Sequence, residues 1–290
     1  MDFFEKYSYR CADIDAKVAA VKQNASQWQN KEVWCKALGM IDLTSLTVSD
    51  TPTKIAAMTD KVNRFNNVFP QYPKPASICV YPNLAKSVAD ARYSCEIHIT
   101  AVAGGFPASQ TFASIKIAEC VAAVKDGADE IDIVLAHNSF CDGRFDDASK
   151  EISDIKKAIL SINPNVHLKV ILETGALGSY EDIAVASFLS IEAGADFIKT
   201  STGKIGVSAT PEAAYVMCEC IKAYYDATGK KIGFKPAGGV SSAEDASLYY
   251  GIVDTVLGSE WLNPTLMRFG ASRMANNLLS ALEEKEVKYF

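Results

Sequence analysis

ADFIKTSTGK, residues 195–204, starts as a buried strand and carries a lysine in its middle. Lysine is almost never fully buried without a partner, so Lys199 in an apolar run needs a physical reason. Two readings compete. Either the stem packs while the ammonium reaches out or pairs with a carboxylate, or the amine is a nucleophile kept neutral by its surroundings. The choice depends on what the neighbouring strands carry, and a second stretch shows how to find them. KDGADEIDI (125–133) makes the same join as EAGADFIKT (192–200): a helix stops at glycine, and Ala-Asp leads into a strand.

Short runs rich in Ile and Val recur at 38–43, 76–81, 95–104, 128–135, 166–173, 195–201, 231–236 and 252–258. Amphipathic segments separate them, among them 114–127 and 148–162; in the latter, apolar residues at 152, 155, 159 and 162 follow the helical spacing. Strands alternating with helices predict βαβ units and parallel pairing. With eight such runs and no G-x-G-x-x-G after the first, the pattern predicts a closed (β/α)8 TIM barrel, not an open dinucleotide-binding sheet. Residues 1–36 show no strand signal and read as an N-terminal helical extension, leaving 37–290 for the barrel and a C-terminal tail. A chain of 290 residues fits one barrel of roughly 250 residues with such an addition.

Composition narrows the function. Hydrophobic residues make up 49% of the chain and charged residues 22%, as in an ordinary soluble globular protein. A net charge of −6 without any basic run offers no surface for nucleic acid. The opening MDFFEKYSYR lacks the apolar core of a signal peptide, and no apolar stretch approaches a membrane span, so a cytoplasmic protein that does not engage membranes is expected. Eight cysteines spread from Cys11 to Cys220 at no repeating interval fit reduced thiols better than a disulfide framework. The three histidines, His98, His137 and His167, show no i+3 or i+4 pairing, and no metal site is expected.

Period-two alternation places charges on particular strand faces. Glu130, Asp132 and Val134 share a side, as do Lys169, Ile171 and Glu173; Phe197, Lys199 and Ser201; Gly233 and Lys235; Asp42 and Thr44. Helices cover the outer face of a barrel with apolar contacts, so these charges are expected to point inward, toward the C-terminal rim where barrel enzymes place their chemistry. One such charge is a satisfied core ion. Asp42, Asp132, Lys169, Glu173, Lys199 and Lys235 converging from different strands read as an active site, with a structural ion network as the competing account. An unperturbed lysine has a pKa near 10.4, so only about one amine in a few thousand is neutral at pH 7. A second ammonium about 4 Å away, at an effective dielectric near 20, opposes protonation by roughly 4 kcal/mol. Lys199 and Lys235, on consecutive strands, can form that pair, with Asp132 as proton shuttle. Gly203-Lys204 follows the sixth run, Gly238-Gly239 the seventh, and Gly270-Ala271-Ser272 lies beyond the eighth. Glycines let backbone N–H groups close on an anion, and barrels commonly hold phosphate after strands seven and eight.

FIKTSTGK (197–204), GFKPAGGV (233–240), LKVILETG (168–175), GADEIDIV (127–134), IDLTSL (41–46) and RFGAS (268–272) together resemble the 2-deoxyribose-5-phosphate aldolase family, in order from about residue 38 to residue 273. The pairing of FIKTSTG with GFKPAGG is the most specific part of the match. The resemblance implies a class I aldolase on a (β/α)8 barrel, without metal or other cofactor, acting on a phosphorylated sugar. It implies Lys199 as the Schiff-base lysine, Lys235 as the lysine that perturbs it and Asp132 as the proton-relay carboxylate. Asp42, Thr44 and Thr202 would hold water and substrate hydroxyls; Gly203, Lys204, Gly238, Gly239, Gly270 and Ser272 would contact the phosphate. Many members end in a tyrosine that assists proton transfer, which makes Tyr289 a candidate although it stands one place before the terminal Phe290. Members are often dimers, so a homodimer is the implied assembly. Ser241 stands where bacterial members often carry a basic residue, and Arg273, where a small residue is usual, is a candidate for the missing positive charge. The alternative is an aldolase-like barrel with weak or no activity that serves mainly as a protein-binding module.

Overall fold

In the computed structural model, which describes residues 3–290, eight short strands form one parallel sheet. They are β1 (Ile41–Thr44), β2 (Ser77–Val80), β3 (His98–Val102), β4 (Glu130–Val134), β5 (His167–Ile171), β6 (Phe197–Lys199), β7 (Gly233–Lys235) and β8 (Phe269–Ala271). Their order around the sheet is β7-β6-β5-β4-β3-β2-β1-β8. Parallel bridges Phe234 to Met267 and Ala237 to Gly270 bring the two ends together, so the sheet closes into a (β/α)8 TIM barrel. A helix follows every strand and packs outside it, from Pro52–Asn63 after β1 to Met274–Glu283 after β8.

The register decides what the interior contains. Asp132 pairs with Lys169 across β4 and β5, and Lys199 with Lys235 across β6 and β7. Neighbouring strands lie about 4.8 Å apart, so charges at paired positions on the inward face must meet.

Seven of the eight expected strands form where the sequence places them. The eighth does not: 252–258 lies in the helix Ala243–Leu257, and β8 is Phe269–Ala271, within RFGAS. The helix is set by a capping box between Ser242 and Asp245 and ends at Gly258, whose φ of 84° suits glycine. Its apolar residues resemble a buried strand because the helix is covered on two sides. One side faces the barrel. Against the other lies Trp28, so close that a Cβ on Gly251 would fall 2.4 Å from the indole, whose Nε1 donates to Asp254 at 2.9 Å. A helix buried on two faces loses the amphipathic period that identifies it. Gly270 therefore lies on β8 itself and Ser272 just after it, not beyond an earlier strand.

The segment before β1 folds as the helices Ile14–Gln23 and Lys31–Leu38 with shorter turns between and before them. It is less polar in space than in sequence. Phe3, Tyr7 and Tyr9 close around Phe188 with ring centroids 4.8–6.0 Å apart, and Ile14, Val18, Val21 and Trp28 are buried with them. Among the described residues, no helix is long and apolar enough to cross a membrane.

Candidate active site

Seven ionisable side chains meet inside the barrel: Asp42 from β1, Glu130 and Asp132 from β4, Lys169 from β5, Lys199 from β6, Lys235 from β7 and Arg268 from the residue before β8. Period-two alternation sends each of them inward. Burying charges is costly unless each is matched, and here each is matched. Arg268 Nη1 lies 2.6 Å from Asp42 Oδ1, and Lys235 Nζ lies 2.5 Å from Asp42 Oδ2. Lys235 and Lys199 each donate to Asp132 Oδ2 at 2.8 Å. Lys169 stands 3.4 Å from Asp132 Oδ1 and 2.5 Å from Glu130 Oε2, and Arg268 Nη2 completes the set at 2.8 Å from Glu130 Oε1. Thr100 also donates to Glu130, at 2.7 Å.

Burial alone would raise the pKa of Asp132, but Lys199, Lys235 and Lys169 outweigh it and hold the carboxyl well below its usual range. Asp42 is lowered against burial in the same way by Lys235 and Arg268, and Glu130 by Lys169 and Arg268. Burial opposes the charge on Lys235, yet Asp132 and Asp42 raise its pKa above the ordinary lysine value, so it stays an ammonium. Lys199 and Lys235 are therefore coupled through a shared carboxylate oxygen, not by two bare ammonium groups facing each other. Lys199 differs from the other interior cations in one respect: it touches a single carboxylate and keeps 4% of its surface exposed, while Lys169 and Lys235 are fully enclosed.

At the C-terminal rim lies a cleft of about 380 Å³. Thr44, Thr202, Gly203 and Lys204 line one side, and Gly238, Gly239, Gly270 and Ser272 the other, with Ser241 and Arg273 at the edge. Gly238 has a φ of 80°, and a Cβ there would come within 2.7 Å of Ser208 and 3.1 Å of the Gly203 backbone. A side chain would have to displace both loops. A Cβ on Gly270 would come 3.2 Å from Lys235 Cε, so the cleft wall and the interior charges are neighbours. No carboxylate lines this cleft. Lys204 Nζ donates to the Leu46 carbonyl at 2.6 Å, while the Arg273 guanidinium has no hydrogen-bond or ion-pair partner among the described residues. Glu173 organises the turn after β6: it accepts from the Thr202 N–H at 3.1 Å and from the Thr202 hydroxyl.

The structure thus brings eight of the residues expected to bind substrate to one cleft, and Asp42 beneath it in the ion cluster. Asp42 is fully buried, and its Oδ1 and Oδ2 face Arg268 and Lys235. Tyr289 lies elsewhere. Its hydroxyl donates to the Lys61 carbonyl at 2.8 Å, its ring packs on Phe65 and Phe69, and Asn276 holds the backbone N–H groups of Tyr289 and Phe290. That fastens the tail to the outer wall, between the helices after β1 and β8. His137 bonds the Leu172 carbonyl at 2.9 Å and does not line the cleft. His98, Asp129 and Glu130 have ligand-type atoms within 4.8 Å of one another, but Glu130 is already held by Lys169 and Arg268.

Arg268 is not singled out in the sequence, and Glu130 is placed on the inward face with Asp132 but not counted in the cluster. RFGAS drew attention for its glycine, yet the alternation that points Gly270 inward also points Arg268 inward. An arginine two residues before a rim glycine, at the start of a barrel strand, was the available signal.

The DeoC/LacD family aldolase model matches residues 37–249. A human protein described as deoxyribose-phosphate aldolase is 37% identical over 279 residues, covering 93% of this chain and 85% of its own. The Bos taurus protein of the same description is also 37% identical, over 275 residues, covering 91% and 84%. Among solved structures, a deoxyribose phosphate aldolase from Aeropyrum pernix, described as tetrameric, aligns with a TM-score of 0.68 at 21% identity over 94% of this chain and 98% of that one, a likeness of fold. With the barrel, the interior lysines and the matched region in agreement, the chain belongs to the DeoC/LacD family of aldolases.

Proposed function

We propose that this aldolase cleaves 2-deoxy-D-ribose 5-phosphate reversibly to D-glyceraldehyde 3-phosphate and acetaldehyde, through a Schiff base on Lys199. One observation carries the reading: a lysine with a single carboxylate partner in an otherwise closed charge cluster, in register with Lys235, whose stem lies against the Gly270 wall of a cleft free of carboxylates. The described relatives support the substrate.

In its neutral form the Lys199 amine adds to the C1 aldehyde; loss of water from the carbinolamine leaves a protonated imine. The imine carries its positive charge at Nζ beside Asp132, and while that nitrogen is neutral, as amine and as enamine, Lys235 remains the counter-ion of Asp132. The C3 hydroxyl then gives up its proton, and the electrons of the C2–C3 bond pass to the imine as an enamine. Glyceraldehyde 3-phosphate departs. Protonation of the enamine at C2 and addition of water release acetaldehyde and return the amine. Asp132, bonded to both Lys199 and Lys235, is the relay for these protons through water. Lys235, a standing cation, keeps negative charge on Asp132 from accumulating unmatched. Thr44 and Thr202 would meet the sugar hydroxyls. Ser272, Gly238, Gly239 and the N–H groups around them would take the phosphate, with Arg273 and Lys204 supplying charge.

Borohydride trapping with 2-deoxyribose 5-phosphate, read by peptide mass spectrometry, tests this. A substrate-dependent adduct on the peptide containing Lys199, absent in Lys199→Ala, is expected. Folded wild-type protein that gives no adduct would remove the Schiff-base reading.

A further inference from the structure

The interior ion contacts close on themselves. Arg268–Asp42–Lys235–Asp132–Lys169–Glu130 and back to Arg268 is a ring of alternating sign, its contacts between 2.5 and 3.4 Å. Three charges of each sign leave the ring neutral. Lys199 hangs from Asp132 outside it and is the one cation in excess.

We propose that Arg268 is a positioning residue whose charge closes this ring and thereby sets how readily Lys199 releases its proton. Arg268 does not line the cleft. Its Nε donates to the Pro264 carbonyl, and its guanidinium borders a separate cavity of about 370 Å³ at the N-terminal ends of the strands, shared with Lys74 and His98. From there it reaches Lys199 only through others: through Asp42, Lys235 and Asp132 along one arm, and through Glu130, Lys169 and Asp132 along the other. Two arms of buried charges, joined in part by hydrogen bonds and in part by ion pairs (Lys235–Asp42 and Lys169–Asp132), transmit a change of charge well, because little water is present to screen it.

The sign follows from the count. Without the guanidinium, Asp42 and Glu130 leave the ring with one negative charge too many, which holds the Lys199 ammonium more firmly. Neutralising Glu130 does the reverse. The other titratable groups nearby are Cys79 on β2, close to Lys235 and Asp132, His98 on β3, which lies 3.1 Å from Asp129 and 4.0 Å from Glu130, and His167 at the start of β5, which feels the charges of Glu130 and Lys169.

The inference rests on Lys199 being the nucleophile, so borohydride trapping of the wild type comes first. The test proper is the dependence of kcat/KM on pH, which reports the free enzyme. In Arg268→Met the acid limb is expected to move up by about one pH unit, giving about tenfold lower kcat/KM near neutrality and recovery in alkaline buffer. In Glu130→Gln it moves down. The double variant Arg268→Met/Glu130→Gln returns toward the wild-type profile although it lacks more bonds than either single variant, and Arg268→Lys keeps the wild-type limb. Repeating the series on His98→Asn and on His167→Asn removes each imidazole's own titration. If Arg268→Met does not fold, Glu130→Gln and Arg268→Lys decide alone. Superimposable limbs in all variants, or a double variant that is worse at every pH, would leave Arg268 with a structural role only. A wild type that traps on Lys199 while the limbs stay put overturns this inference and leaves the aldolase mechanism standing; a wild type that does not trap overturns both.

Discussion

The inside of the barrel and the wall beneath the N-terminal segment are both buried, and they are built in opposite ways. Inside, seven charged side chains fill space that apolar residues would fill more cheaply. Replacing buried ion pairs by well-packed hydrophobes is often neutral or stabilising, so such an interior is weak evidence for stability. Tyr7 and Phe3 each stack on the ring of Phe188 and Tyr9 meets it edge-on, with little to satisfy beyond the tyrosine hydroxyls, which reach Glu192 and Glu219. That is the cheaper way to hold a structure together. Each region should therefore answer mutation in its own currency: the interior in rate, the wall in stability.

The largest expected effect is on the interior. Lys199→Ala should lower kcat by on the order of 10⁴-fold or more, the scale seen when a covalent nucleophile is removed. It should leave the melting temperature unchanged or higher, since it deletes the one cation outside the ring. Steady-state rates and thermal melts on the same preparation check both halves. A variant that melts much lower than wild type would mean that the interior charges carry the fold as well, and the contrast would fail.

The wall should show the mirror image. Phe188→Ala opens a cavity among three rings and should cost about 3–5 kcal/mol of stability. Urea titrations would measure this; kcat at a temperature where the variant is folded should stay within about twofold of wild type, since a distant packing change that leaves the site in place does not alter the barrier. A smaller effect sharpens the boundary at the rim. Arg273→Gln should raise KM for the phosphorylated sugar about tenfold, the cost of losing a charge-assisted hydrogen bond, and leave kcat and the KM for unphosphorylated 2-deoxyribose unchanged.

The same division explains what the sequence disclosed. Strands whose inward residues are charged and outward residues apolar keep their alternation, so Asp132, Lys169, Lys199 and Lys235 could be placed by counting in twos. Glycines at the rim kept their place in order along the chain. The wall erased its own signal. The helix Ala243–Leu257 is apolar toward both the barrel and Trp28, and its Ile-Val run mimicked the eighth strand. The true β8 lies in LMRFGAS (266–272), which has no Ile or Val to mark it as a strand, and the inward placement of Arg268 follows once β8 is in place. Pairing across the barrel, such as Arg268 with Glu130, lies 138 residues apart in sequence and is set by closure, which no local pattern encodes. Where the tail lies was not legible in the sequence for a related reason: Tyr289 bonds Lys61 and Asn276, partners that only the packed helices bring to it.

The smallest effect separates the two regions by pH alone. Asp42, Glu130 and Asp132 have folded pKa values below the unfolded carboxylate range of about 3.9–4.3, so their contribution to stability is complete above that range and is lost progressively as pH falls from it through the lower folded values. Lys235 has a raised value, so its contribution is complete below about 10.4 and is lost as pH rises beyond it. Stability should be level between roughly pH 5 and 9 and fall on both sides. Phe188 does not titrate, and Phe188→Ala should lower the whole curve without changing its slopes. Glu130→Gln removes one proton-binding group, so its acid slope should be shallower by up to about 1.4 kcal/mol per pH unit. Chemical denaturation from pH 3 to 7 on the three proteins makes the comparison. Parallel curves for wild type and Phe188→Ala, with a flatter one for Glu130→Gln, would place the acid sensitivity of this fold in the ring. An unchanged slope in Glu130→Gln would mean that Glu130 contributes nothing to the acid sensitivity of this fold.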